Sequence, residues 1–313
     1  MKNKKIVVTG GAGFIGSNLA RYLANGNNQV TVIDDLSTGH LENIQDLLEM
    51  RAVEFVKGSI TDMTVLLNTF PEAQYVFHEA ALPSVPRSIK EPLLTNEVNV
   101  TGTLNVLLAA KETGVQKVVY ASSSSVYGDT PTLPKTEAMA PHPLSPYAVS
   151  KLIGEYYCSV FTTVFHMPTV ALRYFNVYGP RQDPTSEYAA VIPRFITSVL
   201  HDRPPVIYGD GSQSRDFTFI DDVIRANVLA AESDATGVFN AAGGKRITIN
   251  ELAKLVMVLC DKKLAIRYDE MRPGDIKHSL SDSSLAKEKF GFAPQVDIRD
   301  GLKETIQWFQ KHR

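Results

Sequence analysis

The chain has 313 residues, a formal net charge of −2, 44% hydrophobic residues and 21% charged residues. These values are typical of a globular protein with one large domain or two unequal ones. The charges form no long run of one sign, so we expect neither a nucleic-acid surface nor a basic membrane face. No apolar run approaches the roughly 18 residues of a membrane span, so we expect no membrane partner.

The two cysteines and the start of the chain indicate a cytoplasmic protein. Cys158 and Cys260 both lie in apolar helical patterns, which favours buried thiols over a disulfide and suits a reducing compartment. Neither has the spacing of a zinc site, and we predict no bound metal. The chain passes from Met1 into a predicted strand after a few polar residues, so we expect no signal peptide.

The first predicted strand leads into a glycine-rich turn and then a helix. Lys5–Thr9 is a β-branched apolar run, which is typical of a strand buried on both faces. Gly10, Gly13 and Gly16 follow with the spacing G-x-x-G-x-x-G. Missing side chains let the backbone turn tightly and approach a pyrophosphate at the helix N-terminus. The position between strand and helix favours a dinucleotide site over an ordinary turn.

Acidic residues end the second predicted strand, Gln29–Ile33. A carboxylate at this place accepts hydrogen bonds from an adenosine ribose and repels a 2′-phosphate. Asp34 therefore predicts NAD rather than NADP. Asp35 is either part of the same site or a cap of the next helix.

Alternating strands and helices continue to about residue 172 and predict a doubly wound parallel Rossmann sheet of the α/β class. The remaining strands are predicted at Val53–Val56, Tyr75–His78, Lys117–Ala121 and Pro168–Arg173, and the two long helices at 92–113 and 147–166. His78, at a strand end, is interpreted as structural. We predict an NAD-binding domain at 1–172, to which 215–235 returns, and a smaller mixed α/β substrate-binding domain at 173–313. Helices are predicted there at 248–259, with Thr248 and Glu251 as a capping box, and at 281–290 and 298–311.

A serine-rich strand end and a Tyr–Lys pair indicate acid–base chemistry. Ser122–Ser125 follow a predicted buried strand, where open α/β sheets bind their ligands. Ser145 and Pro146 are suited to begin a helix that carries Tyr147 and Lys151 on one face. A nearby ammonium should lower the pKa of the phenol and make it a general base. Alone, this spacing is a weak signal and fits an ordinary exposed helix.

Together, the glycines, the serine strand end and the Tyr–Lys pair resemble an extended short-chain dehydrogenase/reductase, and in particular the UDP-hexose 4-epimerases. The resemblance runs from Lys4 to the C-terminus. It implies NAD-dependent inversion at C4 of a UDP-hexose through a transient 4-keto intermediate. It assigns Tyr147 as the base that takes the proton of the 4-hydroxyl, Lys151 as its partner, and Ser123 as the catalytic hydroxyl.

The resemblance also implies the NAD-binding residues, with two departures from the family pattern. Relatives usually have Asp where this chain has Ser59, and many galactose epimerases have Lys where this chain has Pro83. The implied cofactor residues are Gly10, Gly13, Phe14, Ile15, Gly16, Asp34, Asp35, Leu36, Ser37, Thr38, Gly39, Ser59, Ile60, Ala80, Ala81, Asn99, Ser122, Tyr147, Lys151 and Tyr174.

The substrate residues implied by the resemblance are Arg87, Ser124, Ser125, Asn176, Val191, Arg215, Arg272, Asp275 and Ser279. Arg215 and Arg272 would reach the diphosphate and Asp275 the uridine ribose, whereas Arg87 fits a surface arginine equally well. A small residue at 279 leaves room beside the sugar C2 substituent. The expected substrates are therefore UDP-GlcNAc and UDP-GalNAc as well as UDP-Glc and UDP-Gal, unless Ser279 only ends a strand and faces elsewhere.

Partners and rival functions complete the expectations. The resemblance implies a homodimer through the helices at 92–113 and 147–166. Rival enzymes are a UDP-glucuronate epimerase or decarboxylase and a nucleotide-sugar 4,6-dehydratase, although the latter has Asp-Glu where this chain has Ser124 and Ser125. A catalytically silent NAD-binding regulator is the alternative from a different class.

Overall fold

Short β-branched runs build the strands of this protein, and amphipathic stretches build its helices. The computed structural model describes residues 1–184, 190–271 and 277–312. The strands are β1 (Lys5–Thr9), β2 (Gln29–Asp34), β3 (Glu54–Lys57), β4 (Tyr75–His78), β5 (Lys117–Ser123), β6 (Thr169–Tyr174), β7 (Val177–Tyr178), β8 (Val206–Tyr208), β9 (Ser214–Asp216), β10 (Thr218–Phe219), β11 (Gly237–Ala241), β12 (Arg246–Thr248) and β13 (Arg267–Asp269). The helices are α1 (Phe14–Ala24), α2 (Gln45–Glu49), α3 (Met63–Thr69), α4 (Val85–Lys90), α5 (Pro92–Asn96), α6 (Gly102–Glu112), α7 (Pro146–Phe165), α8 (Val191–Leu200), α9 (Ile220–Glu232), α10 (Ile249–Leu259), α11 (Ser284–Phe290) and α12 (Ile298–Lys311).

Seven parallel strands form the central sheet in the order β11-β6-β5-β4-β1-β2-β3. Along β1, Ile6 and Val8 belong to the core on one face and Val7 to the core on the other. Burial of each such side chain contributes about 1.5–3 kcal/mol, which explains the continuous apolar run in the sequence. The predicted α/β class and doubly wound parallel Rossmann sheet are confirmed. The predicted division at residue 172 stays a prediction.

From β1 to β3 the strands are added on one side of the sheet, and from β4 onwards they are added on the other side. This switch in strand order between the neighbouring strands β1 and β4 opens a crevice at their carboxyl ends. His78 connects β4 with β1 and α6, because its ring nitrogens lie 2.8 Å from Thr9 Oγ1 and 2.9 Å from Thr103 Oγ1. Burial lowers the pKa of His78 to about 3, so the ring is neutral. These contacts agree with the structural role expected for this histidine.

Several elements differ from the sequence-based expectation. The edge strand β11 was not predicted. The strand β10 lies in the range 215–235, which was predicted to return to the NAD-binding domain, but it pairs with β7 outside the central sheet. The helix α4, which the side chain of Ser84 caps, was not predicted either. The predicted helix at 281–290 begins only at Ser284.

The long helix predicted at 92–113 contains a π-helical stretch, Glu97–Thr101, between α5 and α6. Such stretches insert one residue into the helical ladder and are frequent near functional sites. Asn99 lies in this stretch, and its side chain bonds to both backbone groups of Leu82 and to Ser150. The extra residue thus directs an amide side chain towards the turn after β4.

A buried carboxylate connects the C-terminal segment with α9, and a capping box stabilises the start of α10. Asp222 of α9 accepts backbone N–H groups of Gln295 and Val296. Thr248 and Glu251 form the predicted capping box at α10, a motif that contributes about 1 kcal/mol. Within the described ranges, no helix has both the length and the apolar character needed to cross a membrane.

Candidate active site

One cavity of about 1090 Å³ lies along the carboxyl ends of the central strands. It collects most of the residues that the sequence assigned to cofactor, sugar and chemistry, although they come from distant parts of the chain. The predicted site residues that line it are Gly10, Gly13, Phe14, Ile15, Gly16, Asp34, Asp35, Leu36, Ser37, Thr38, Gly39, Ile60, Ala80, Ala81, Arg87, Ser122, Ser123, Ser124, Ser125, Tyr147, Lys151, Tyr174 and Asn176.

The glycine turn before α1 leaves no room for side chains. Gly10 has a φ of +69°, and a Cβ atom there would lie 2.6 Å from the backbone nitrogen of Ala80. A Cβ atom at Gly16 would lie 2.2 Å from the carbonyl oxygen of Gly10. Gly13 is the N-cap residue of α1 and has no side chain that could cap the helix. The first turn of α1 therefore offers its backbone N–H groups to the cavity, which suits the pyrophosphate of a dinucleotide.

Asp34 ends β2 with its carboxylate fixed by the backbone. Its Oδ2 accepts the N–H of Ala12 at 2.9 Å and its Oδ1 that of Leu36 at 2.8 Å. Burial raises the pKa of Asp34, and these hydrogen bonds oppose the shift. A Cβ atom at Gly39 would approach the same carboxylate to 2.8 Å, so the loop packs tightly around it. A carboxylate at this edge fits the adenosine ribose of NAD.

Tyr147 and Ser123 meet at the other side of the cavity. Ser145 caps α7 by accepting the N–H of Ala148 at 3.1 Å, and Pro146 occupies the first turn, as predicted. The sequence predicted that Lys151 lowers the pKa of Tyr147, but the pKa of this phenol is raised. Burial is the largest cause, and a hydrogen bond with Ser123 opposes it.

Lys151 is buried beneath the phenol. Its Nζ donates to the carbonyl oxygen of Ala121 at 2.8 Å and lies 6.0 Å from the centroid of the Tyr147 ring. Burial lowers the pKa of Lys151 itself to about 8. The two side chains share one helix face and one cavity, as the spacing of four predicted.

A buried ion pair supports the serine strand end. Arg173 of β6 donates to both carboxylate oxygens of Glu155 of α7, at 2.8 and 2.7 Å. Ser122 donates to the same carboxylate at 2.5 Å. Removing one member of such a buried pair costs about 3–5 kcal/mol because the other charge is left uncompensated. Ser125, three residues after Ser122, has a buried hydroxyl with no hydrogen-bond partner among the described residues.

Several charged residues of the cavity were not assigned from the sequence, among them Glu79 and Arg181. Glu79 follows β4 directly, and its Oε1 accepts the phenol O–H of Tyr174 at 2.9 Å. Arg181 donates to Asn18 Oδ1 at 3.0 Å. An acidic residue directly after a buried parallel strand is a signal that would have found Glu79. Arg181 has no comparable signal, because it lies in irregular chain after a Gly-Pro pair.

Some predicted residues lie behind or beside the cavity. Ser59 hydrogen bonds to Thr61 at 2.9 Å. Asn99 hydrogen bonds to the backbone of Leu82 beneath the turn after β4. Val191 begins α8, next to Ala190, which lines the cavity. Arg215 donates to the carbonyl oxygens of Ser214 and Lys277. The predicted contacts of Arg272 and Asp275 lie outside the described residues.

Ser279 lies next to a cavity residue. Its hydroxyl accepts the N–H of Asp216 at 3.2 Å and lies 3.4 Å from the side-chain nitrogen of Asn176. Asn176 in turn donates to the carbonyl oxygen of Asp216 at 2.8 Å. A larger side chain at 279 would therefore compete for the space around Asn176.

Comparison with known proteins adds to this geometry. Residues 6–242 match the model of the NAD dependent epimerase/dehydratase family. A UDP-glucose 4-epimerase of Mycolicibacterium smegmatis is 39% identical over 311 residues, which are 98% of both chains. The chain belongs to this family. A UDP-N-acetylglucosamine 4-epimerase from Methanobrevibacter ruminantium M1, solved in complex with UDP-N-acetylmuramic acid, has a TM-score of 0.97 at 44% identity and covers 100% of each chain. A UDP-glucose 4-epimerase of Thermotoga maritima, solved with UDP-glucose, has a TM-score of 0.94 at 38% identity, over 98% of this chain and 99% of that one.

As a member of the NAD dependent epimerase/dehydratase family, this protein is an enzyme with NAD as its cofactor. The resemblance to the extended short-chain dehydrogenases/reductases, and to the UDP-hexose 4-epimerases among them, is confirmed. The alternative of a catalytically silent NAD-binding regulator is wrong. The glycine turn, the open helix N-terminus and the fixed Asp34 carboxylate fit this cofactor.

The purified enzyme is expected to contain NAD and not NADP, because Asp34 would repel a 2′-phosphate at the edge of β2. Asp34→Ser should weaken NAD retention and reduce the preference over NADP. Extraction of the cofactor followed by chromatography measures both. Glu49→Gln, an exposed substitution elsewhere on the same half of the chain, serves as the control. NADP as the main cofactor of the unaltered protein would contradict this assignment.

Proposed function

We propose that this enzyme inverts C4 of UDP-hexoses, and that it accepts UDP-GlcNAc and UDP-GalNAc as well as UDP-Glc and UDP-Gal. The observation that carries the proposal is the meeting of Tyr147, Ser123 and Lys151 in one cavity with the glycine turn and Asp34. The names of the relatives support both substrate classes, since they include a UDP-glucose and a UDP-N-acetylglucosamine 4-epimerase.

In this proposal, Tyr147 takes the proton of the sugar 4-hydroxyl and later returns a proton to the 4-oxygen. Ser123 hydrogen bonds to the phenol and holds the 4-oxygen beside it. NAD, when bound, supplies the reversible oxidation at C4 that gives a transient 4-keto sugar. Lys151 contributes a positive charge, and because its side chain is buried, this charge interacts more strongly with its neighbours than it would in water.

The local chemistry favours an epimerase over a dehydratase. The resemblance implies that a dehydratase needs Asp and Glu next to the catalytic hydroxyl, where this chain has Ser124 and Ser125. Both serines line the cavity, and hydroxyl groups suit hydrogen bonding to sugar hydroxyls better than proton transfer at neutral pH. A UDP-glucuronate epimerase or decarboxylase remains the rival enzyme, and a screen of UDP-sugars that includes UDP-GlcA distinguishes it.

We also propose that two protomers associate through α5, α6 and α7. Tyr156, Val160 and Val164 follow one another at intervals of four residues on α7 and are exposed, Val164 by 61%. Leu93 of α5 is 87% exposed, and α5 packs beside α7. An apolar surface of this kind on neighbouring helices is typical of a protein interface.

Tyr147→Phe should lower kcat by at least about 10²-fold, because the phenol O–H is the group that exchanges the proton. The NAD content should change little, since the ring is kept. Turnover of UDP-sugars and extraction of the cofactor measure the two effects. Tyr22→Phe on the exposed side of α1 is the matched control. Turnover near that of the unaltered enzyme would end the assignment of Tyr147.

The unaltered enzyme should interconvert UDP-GlcNAc with UDP-GalNAc and UDP-Glc with UDP-Gal. Ser279→Tyr should reduce turnover of the N-acetylated pair about tenfold or more relative to the plain pair, because the ring would fill space beside Asn176. Ser279→Ala keeps the space and should retain both activities. Chromatographic separation of the products measures this. Equal losses on both pairs, or an unaltered enzyme inert toward UDP-GalNAc, would contradict the proposed gate.

Sedimentation should give a mass near twice the 34.4 kDa of the chain. Two carboxylates introduced by Val160→Glu and Val164→Glu should shift the protein toward the single-chain mass, because charge is costly in an apolar interface. Val258→Glu on α10, where the valine is 64% exposed, is the matched control and should keep the larger mass. A single-chain mass for the unaltered protein would show that the apolar face has another role.

A further inference from the structure

Glu79 directly follows β4, next to the crevice between β1 and β4, and its backbone is held in place by its neighbours. Its backbone N–H donates to the carbonyl oxygen of Thr9 at 3.1 Å. Its carbonyl carbon packs against Gly10, where a Cβ atom would approach it to 2.9 Å. The residue therefore cannot move away from the glycine turn without disturbing the parallel strands on either side. Its side chain faces the cavity that holds the proposed reaction.

The carboxylate of Glu79 is held by a second fixed group. The phenol of Tyr174 donates to Glu79 Oε1 at 2.9 Å, and Asn227 Nδ2 lies 2.8 Å from the same phenol oxygen. Asn227 is fully buried in α9, where its side-chain nitrogen also donates to the carbonyl oxygen of Val223. A chain of hydrogen bonds thus runs from α9 through β6 to the end of β4. Such a chain fixes the direction of the carboxylate.

The charged and titratable groups around Glu79 come from three elements. Tyr147 and Lys151 of α7 line the same cavity as Glu79 and interact with it electrostatically, and Tyr174 of β6 donates a hydrogen bond to it. On its own strand, His78 is neutral and tied to two threonines.

The nearest other buried carboxylate is already compensated. Glu155, one turn beyond Lys151 on α7, pairs with Arg173 and accepts the hydroxyl of Ser122. Among the described residues, the hydrogen-bond acceptor of Lys151 Nζ is the uncharged carbonyl of Ala121. Glu79 is therefore the carboxylate positioned to act on the ammonium group of Lys151.

We propose that Glu79, held by Tyr174, is a positioning residue that sets the pH at which the Tyr147–Lys151 pair gives up its first proton. This inference rests on the proposed epimerase function, because only that function makes the pair the acid–base group of the reaction. Glu79 acts through the pair and need not touch the sugar.

The electrostatics agree with this role. Burial lowers the pKa of Lys151 to about 8, and the Glu79 carboxylate acts in the opposite direction. The same carboxylate adds to the raised pKa of Tyr147. Burial raises the pKa of Glu79 itself to about 7, while the hydrogen bond from Tyr174 opposes that shift. Removing the negative charge should therefore lower both proton affinities of the pair, whose titrations are coupled.

The test uses Glu79→Gln, which keeps the shape and removes the charge. The rising limb of the pH profile of kcat should move to lower pH by about one unit, the usual scale for a nearby buried charge. An NMR titration of the NAD-bound protein with isotope-labelled lysine side chains should show the midpoint of Lys151 moving in the same direction. Loss of activity at every pH, with limb and midpoint unmoved, would mean a merely structural role and would overturn the proposal.

Two further variants keep the experiment decisive. Tyr174→Phe removes the hydrogen bond that lowers the pKa of Glu79, so the carboxyl stays neutral to higher pH and the Lys151 midpoint should fall, although less. Glu112→Gln removes an exposed carboxylate and should leave the profile unchanged.

The NMR midpoint of Lys151 can be measured without any turnover of a sugar. A moved midpoint without turnover of any UDP-sugar would refute the proposed function alone, whereas turnover with an unmoved midpoint would refute the role of Glu79 alone.

Discussion

The buried pair between Glu155 and Arg173 fixes the helix on which the proposed chemistry depends. Tyr147, Lys151 and Glu155 follow one another at intervals of four residues, so they share one face of α7. Because Glu155 is clamped to β6 through Arg173 and to β5 through Ser122, the rotation of α7 about its axis is set by the sheet. The phenol and the ammonium group are then directed into the cavity. Hydrophobic packing alone would tolerate small rotations that these directional bonds resist.

The opposite wall of the cavity is governed by close backbone packing. The turn at Gly10 contacts the backbone of Glu79 and Ala80, so the end of β1 and the end of β4 form one rigid unit. This contact connects the glycine turn with Glu79, whose carboxylate lines the same cavity as Lys151. The π-helical stretch also stabilises this wall, because the side chain of Asn99 hydrogen bonds to the backbone N–H and carbonyl groups of Leu82. Cofactor site and acid–base pair are therefore coupled through the main chain.

Burial has a strong influence on the titratable groups of this cavity. Burial is the largest cause of the pKa shifts of Asp34, Glu79, Tyr147 and Lys151. In each case, fixed hydrogen bonds or a neighbouring charge oppose part of the shift. A site of this kind holds Lys151 near its titration point, with a pKa of about 8, whereas the pKa of Tyr147 lies above its ordinary value.

The sequence by itself determined the strand–turn–helix at Gly10–Gly16, the acidic end of β2, the helix start at Ser145 and the four-residue spacing of Tyr147 and Lys151. These features are local, since steric restriction, capping and helical periodicity act between residues close in the chain. Only the tertiary structure decided that β11 completes the sheet, that Glu79 and Lys151 line one cavity, and that burial raises the pKa of Tyr147. Strand partners, burial and the charges around a group depend on residues that are distant in the chain, and no local pattern encodes them.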